Sequence, residues 1–127
     1  MILRIAAATA AFLTMAWAPS AMAQRVIRGD CSLSVDGKTY INIKRTCRIS
    51  LDRDGSFSIN TLGNGERVPR RYYFAFLDVN PDGSGSATWN DSPGALHAQT
   101  RLGDGFRRKG GCWSNRRATI CAYAPRR

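Results

Sequence analysis

The chain has 127 residues, 19 of them Lys or Arg against 9 Asp or Glu, for a formal charge of +10 at pH 7. This length suits one domain with one modest core. The charge creates a field that steers phosphate polymers, anionic lipid headgroups and acidic glycans toward the surface.

The opening MILRIAAATAAFLTMAWAPSAMAQ places one charge, Arg4, ahead of an apolar run from Ile5 to Trp17 and the small-residue pattern Ala21-Met22-Ala23. That is the pattern of a secretory signal peptide over residues 1–23, cleaved after Ala23. A membrane anchor is the other reading, but the run is shorter than the roughly 20 residues that span a bilayer, and Pro19 interrupts its end. Removing residues 1–23 leaves 104 residues and a charge of +9, because Arg4 is the only charged residue removed. Arginine supplies 15 of the 18 basic charges that remain, and its planar fork pairs bidentately with phosphate or carboxylate. All four cysteines, Cys31, Cys47, Cys112 and Cys121, lie in this exported part, where an oxidising compartment pairs thiols.

Residues 24–124 read as a single β-domain. After the polar leader QRVIRGD come short apolar alternations punctuated by Gly-containing turns, the signature of an all-β fold. In CSLSVDGKTYINI the apolar positions Cys31, Leu33, Val35, Ile41 and Ile43 are all odd. A three-residue loop around Asp36-Gly37 gathers them on one face and leaves Ser32, Ser34, Tyr40 and Asn42 on the other, whereas a two-residue loop mixes the faces. In CRISLDRDGSFSINT a three-residue loop Arg53-Asp54-Gly55, a type I turn with a glycine bulge, sets Leu51 opposite Phe57 and Ile49 opposite Ile59. In YYFAFLDVNPDGSGSATWN the turn Pro81-Asp82-Gly83 sets Leu77 opposite Ala87 and Ala75 opposite Trp89. Residues 72–79 are apolar on both faces, as in a central strand. From Asn90 to Gly111 the pattern weakens; one short helix near residues 93–102, capped by Ser92 and ended by Gly103, competes with a long surface loop. In GGCWSNRRATICAYA the even number of residues between Cys112 and Cys121 lets the two cysteines face each other across a hairpin centred between Arg116 and Arg117. Residues 125–127 form a frayed basic tail.

The cysteine intervals contain no Cys-x-x-Cys, which argues against a structural zinc site or a thioredoxin-like motif and for two structural disulfides. Cys31–Cys47 with Cys112–Cys121 is the favoured connectivity; Cys31–Cys121 with Cys47–Cys112 is the alternative, since larger loops remove more unfolded-state entropy. No metal or other cofactor is expected.

His97 is the only histidine and Glu66, in GNGERVPRR, the only glutamate. In-line RNA cleavage wants a base, an acid and a cationic clamp, so His97, Glu66 and a nearby arginine are the candidates for ribonuclease chemistry. A serine-nucleophile elbow is absent, and a single histidine makes a catalytic triad improbable. Asp52, Asp54, Asp82 and Asp104 sit in Gly-containing turns, where carboxylates cap backbone amides. The run Asn80 to Gly85 lacks the terminal glutamate of a calcium loop.

Three clusters carry the functional signal: Arg67, Arg70 and Arg71 before Tyr72 and Tyr73; Arg101, Phe106, Arg107, Arg108 and Lys109 before Trp113; and Arg116 with Arg117 at the hairpin tip. Cationic side chains interleaved with stacking ones suit a phosphate backbone or an acidic sugar polymer, while Trp89, Trp113 and Tyr123 also suit the core of so small a domain. Arg28-Gly29-Asp30, the tripeptide read by adhesion receptors, abuts Cys31 and is set aside. The run from Cys31 to Ile59 and the ending CWSNRRATICAY resemble small exported bacterial proteins, a likeness that transfers no functional residue.

The expected architecture is a small antiparallel sandwich or barrel of about six to eight strands stapled by two disulfides. The expected function is non-catalytic binding of an anionic envelope glycan or lipid, a nucleic acid or an acidic protein by a monomer in the periplasm or outside the cell. A secreted ribonuclease using Glu66 and His97, and a periplasmic inhibitor of a foreign enzyme, are the alternatives.

Overall fold

The computed structural model describes residues 24–60 and 72–125. The residues expected to form the signal peptide, together with Glu66, Arg67, Arg70, Arg71 and residues 126–127, therefore lie outside the described residues. The described residues form eight strands and no helix: β1 (Arg25–Val35), β2 (Lys38–Leu51), β3 (Phe57–Asn60), β4 (Phe74–Val79), β5 (Gly85–Trp89), β6 (Thr100–Lys109), β7 (Cys112–Ser114) and β8 (Ala118–Tyr123). Each pairs antiparallel with its sequence neighbour, and β8 pairs back onto β1 to close a barrel. Closure decides between the two expected architectures.

Period-2 alternation builds the core. Leu33, Ile49, Ile59, Leu77, Leu102, Phe106 and Ile120 point inward and are almost completely buried. An eight-stranded barrel has an interior just wide enough for such side chains to fill, so this one is packed rather than hollow. The exposed outer wall carries Arg28, Asp78, Arg101 and Arg107, where a lipid-embedded barrel carries its apolar band.

Two hairpins have the expected register. Leu51 pairs with Phe57 and Ile49 with Ile59 across β2 and β3, and Leu77 pairs with Ala87 and Ala75 with Trp89 across β4 and β5. Both turns end in a left-handed glycine, Gly55 (φ 90°) and Gly83 (φ 84°). In both, an aspartate accepts the amide proton two residues on: Ser56 N–H to Asp54 Oδ1 at 2.8 Å and Ser84 N–H to Asp82 Oδ1 at 2.9 Å.

The first hairpin corrects the expectation. Val35 pairs with Lys38, so Asp36 and Gly37 make a two-residue turn. Both residues are left-handed (φ 51° and 80°), the mirror-image turn whose twist matches a hairpin. The mixing of faces that such a turn imposes is undone one step later: Ser34 pairs with Thr39 but Leu33 pairs with Ile41, leaving Tyr40 as an extra residue on β2. This bulge returns Ile41 to the interior and brings Tyr40 against the core as well, rather than onto the outer face.

The favoured disulfides are both present, Cys31–Cys47 and Cys112–Cys121. The first lies inside the barrel, spanning a second irregularity where β2 carries two extra residues between its pairings with Gly29 and Cys31. Arg45 there is left-handed (φ 67°), and its N–H donates to Asp30 Oδ1 at 2.7 Å. The second staples β7 to β8 at directly opposed positions, with Trp113 and Ile120 turned into the core.

The segment 90–99 is irregular rather than helical. Buried Asn90 accepts the Phe74 N–H at 3.0 Å and donates to the carbonyls of Tyr72 at 2.9 Å and Ala95 at 3.0 Å. Within the span expected to be helical, Gly94 is left-handed (φ 80°), which a right-handed helix cannot contain, and residues 100–102 already belong to β6. Residues 72–79 are apolar on both faces, as read from the sequence. Ala75 and Leu77 face the core, while Tyr72, Phe74 and Phe76 form an aromatic row, the first two rings tilted at 31° with centres 5.3 Å apart and the last two edge-on with centres 5.8 Å apart. Burial pushes the Tyr72 hydroxyl above its ordinary range, and the charge of Arg48 opposes that shift.

Candidate anion-binding site

The strand β6 is bulged twice against β5. Gly85 pairs with Phe106, Ala87 with Gly103 and Thr88 with Arg101, so β6 carries one extra residue in each interval. Gly103 (φ 106°) and Gly105 (φ 72°) supply the left-handed conformations these bulges require. Bulges re-aim side chains and backbone, and here they turn the carbonyls of Leu102 and Asp104 toward the neighbouring hairpin tip.

Asn115 receives them. Its Nδ2 donates to Leu102 O at 3.1 Å and Asp104 O at 3.2 Å, while its Oδ1 accepts the N–H groups of Arg117 at 2.9 Å and Ala118 at 2.8 Å. A Cβ on Gly103 would lie 3.3 Å from that Nδ2, so the glycine also makes room for the amide. The tip carrying Arg116 and Arg117 is thereby held at one end by the Cys112–Cys121 staple and at the other by Asn115.

Arg117 is held further. Its Nε donates to Asp36 Oδ2 at 3.3 Å and its Nη1 to Arg101 O at 3.1 Å, and its own carbonyl accepts the Asp36 N–H at 2.8 Å. Arg101 in turn pairs with Asp104 at 2.8 Å. Hydrogen bonding from Ser86, then the charge of Arg101, holds the Asp104 carboxyl below the ordinary carboxylate value. Arg107 faces Asp82, whose carboxyl is lowered first by its hydrogen bonds from Ser84 and then by the charge of Arg107. The Arg116 side chain makes no hydrogen bond or ion pair to the described residues.

Arg107, Arg116 and Arg117 line one open groove of about 570 Å³ together with Asp104, Gly105, Ser114 and Asn115. Of the three guanidinium groups, Arg117 is paired with Asp36 and Arg107 lies in the field of Asp82, while Arg116 is left to a ligand and Asp104, the groove's own carboxylate, is engaged by Arg101. This arrangement can hold a multiply charged anion by bidentate hydrogen bonds with little ordering of the hairpin beneath it.

The other sequence candidates are not gathered here. Arg108 and Lys109 lie toward the far end of β6, where Arg108 donates to Gly110 O at 3.1 Å beside a cleft of about 170 Å³. Phe106 and Trp113, adjacent to arginines in sequence, are buried in the core and offer no stacking face. His97 is exposed on the segment 90–99, and no described residue hydrogen-bonds to it. Arg28 and Asp30 are engaged within the β1–β2 pair, Arg28 donating to Thr46 O at 3.1 Å, so that tripeptide is strand rather than loop. No group of three potential metal ligands occurs among the described residues.

Sequence reading missed Asn115 and Asp36 as organisers of the arginines. An Asn preceding Arg-Arg in a tight turn was the available signal. Comparison with protein-family models, curated proteins and solved structures finds no match to this chain.

Proposed function

We propose that the protein is an exported, non-catalytic, monomeric binding module that holds an anionic partner in the groove between β6 and the β7–β8 hairpin. The observation that carries this reading is the convergence of Arg107, Arg116 and Arg117 on one groove whose floor is fixed by Asn115. The formal charge of +10 supports it by raising the encounter rate with any polyanion. Two disulfides are consistent with an oxidising compartment, and the apolar start of the chain with export into the periplasm or beyond. The partner classes that fit are an acidic envelope glycan, an anionic lipid surface, a nucleic acid and an acidic protein.

Salt-gradient elution from immobilised heparin, from duplex DNA and from anionic vesicles tests the reading and ranks these classes. Retention well beyond a neutral protein of equal size on at least one matrix is expected. Elution with the neutral control from all three contradicts it.

A further inference from the structure

The bulge at Tyr40 has placed an aromatic cluster in the mouth of the barrel at the Asp36-Gly37 end. The Tyr40 ring meets Tyr73 edge-on (centres 5.1 Å apart, planes at 68°) and Trp89 likewise (4.7 Å, 70°), while Tyr73 stacks on Trp89 (5.9 Å, 23°). Lys38 sets its ammonium 5.1 Å from the centre of the Tyr40 ring. Lys38, Thr39, Tyr40, Tyr73 and Pro93 line an open cleft of about 420 Å³, a size within the range of small-ligand sites, which β-barrels characteristically carry in their mouths. Beneath the tyrosines the Trp89 indole is 4% exposed, and its Nε1–H finds no acceptor among the described residues. Buried indole N–H groups ordinarily have a partner.

From this geometry we infer that the barrel mouth is a second site, distinct from the arginine groove, which takes one acidic sugar unit, a hexuronic acid carrying its carboxylate to Lys38. Tyr40 and Tyr73 are half-buried and fixed against the core, so the cleft binds without ordering its own walls. Their rings meet at a steep angle and make a corner. A nucleobase is held best between two parallel faces, which rings meeting at 68° do not offer. A sugar ring packs its C–H face on one tyrosine and its edge on the other. Its hydroxyls then reach Thr39, the tyrosine hydroxyls and water in the open mouth. A wholly apolar ligand is excluded because it would desolvate Lys38 and Thr39 without pairing them.

The test titrates the protein with a tetramer of galacturonic acid and follows indole N–H resonances by NMR. The expected result is a saturable shift of the Trp89 resonance with that of Trp113 unmoved. Lys38→Gln, at an exposed position that leaves the core intact, weakens binding by about tenfold, the scale of one lost charge-assisted contact. The methyl-esterified tetramer binds the protein and Lys38→Gln equally weakly. Replacing Arg107 and Arg116 by Ala leaves this titration unchanged, which separates the mouth site from the groove. The inference is overturned by an unmoved Trp89 resonance, by equal affinity in Lys38→Gln, or by loss of the titration in the arginine double variant.

Discussion

At the scale of single residues, Asn115 does the most with the least. Its amide uses both donors and both acceptor positions, joining the β6 bulge to the turn that presents Arg116 and Arg117. Asn115→Ala removes four hydrogen bonds at a half-buried site, and a loss of stability of about 1–2 kcal/mol is expected, measured by urea unfolding. The same variant elutes earlier from heparin although every arginine is intact, because the tip is no longer pre-ordered. Unchanged retention would show that Asn115 supports the fold alone. The sequence revealed that an asparagine opens the turn. It concealed the partners, carbonyls 13 and 11 residues upstream, because their direction depends on two bulges in a stretch, Gly103-Asp104-Gly105, that reads as loop.

At the scale of elements, parity worked wherever the turn carried its own glycine bulge. The β2–β3 and β4–β5 registers follow from Gly55 and Gly83 in their turns. At Asp36-Gly37 parity still gave the shared face, with Leu33 opposite Ile41 and Cys31 opposite Ile43, but not the loop length, because the compensating bulge sits inside a strand, at Tyr40, where nothing in the sequence marks it. The two staples differ in the same structural terms. Cys31–Cys47 is enclosed by the barrel, at 3% and 0% exposure, whereas Cys112 is half-buried on the outer wall beside the Tyr123 hydroxyl at 3.3 Å. A mild reductant is therefore expected to open Cys112–Cys121 first, as read by alkylation and mass mapping. Replacing the inner pair by Ala costs about 3 kcal/mol from loop entropy alone, for a closed loop of 16 residues. Simultaneous reduction of both bridges contradicts this assignment of an inner and an outer staple.

For the whole molecule, the closed barrel sorts residues that the sequence sets side by side. Phe106, Arg107 and Arg108 are consecutive, yet Phe106 enters the core, Arg107 lines the hairpin groove and Arg108 lies beside the cleft at the far end. Alternation along a strand therefore separates a basic cluster that composition alone presents as one patch. The fold class and both staples were legible because hydrophobic period and cysteine spacing are local signals. The groove was not, since Arg107 comes from β6 and Arg117 from the β7–β8 turn, and the β6 bulges decide how the two are placed. The central claim is that this groove carries the charge recognition. Its most direct test is the salt dependence of heparin binding for the protein and for the double variant Arg107→Ala, Arg116→Ala. By the counterion release that governs polyanion binding, losing two contacts lowers the slope of log affinity against log salt by about 2. That flattening is the predicted result, and an unchanged slope with both arginines gone would contradict it.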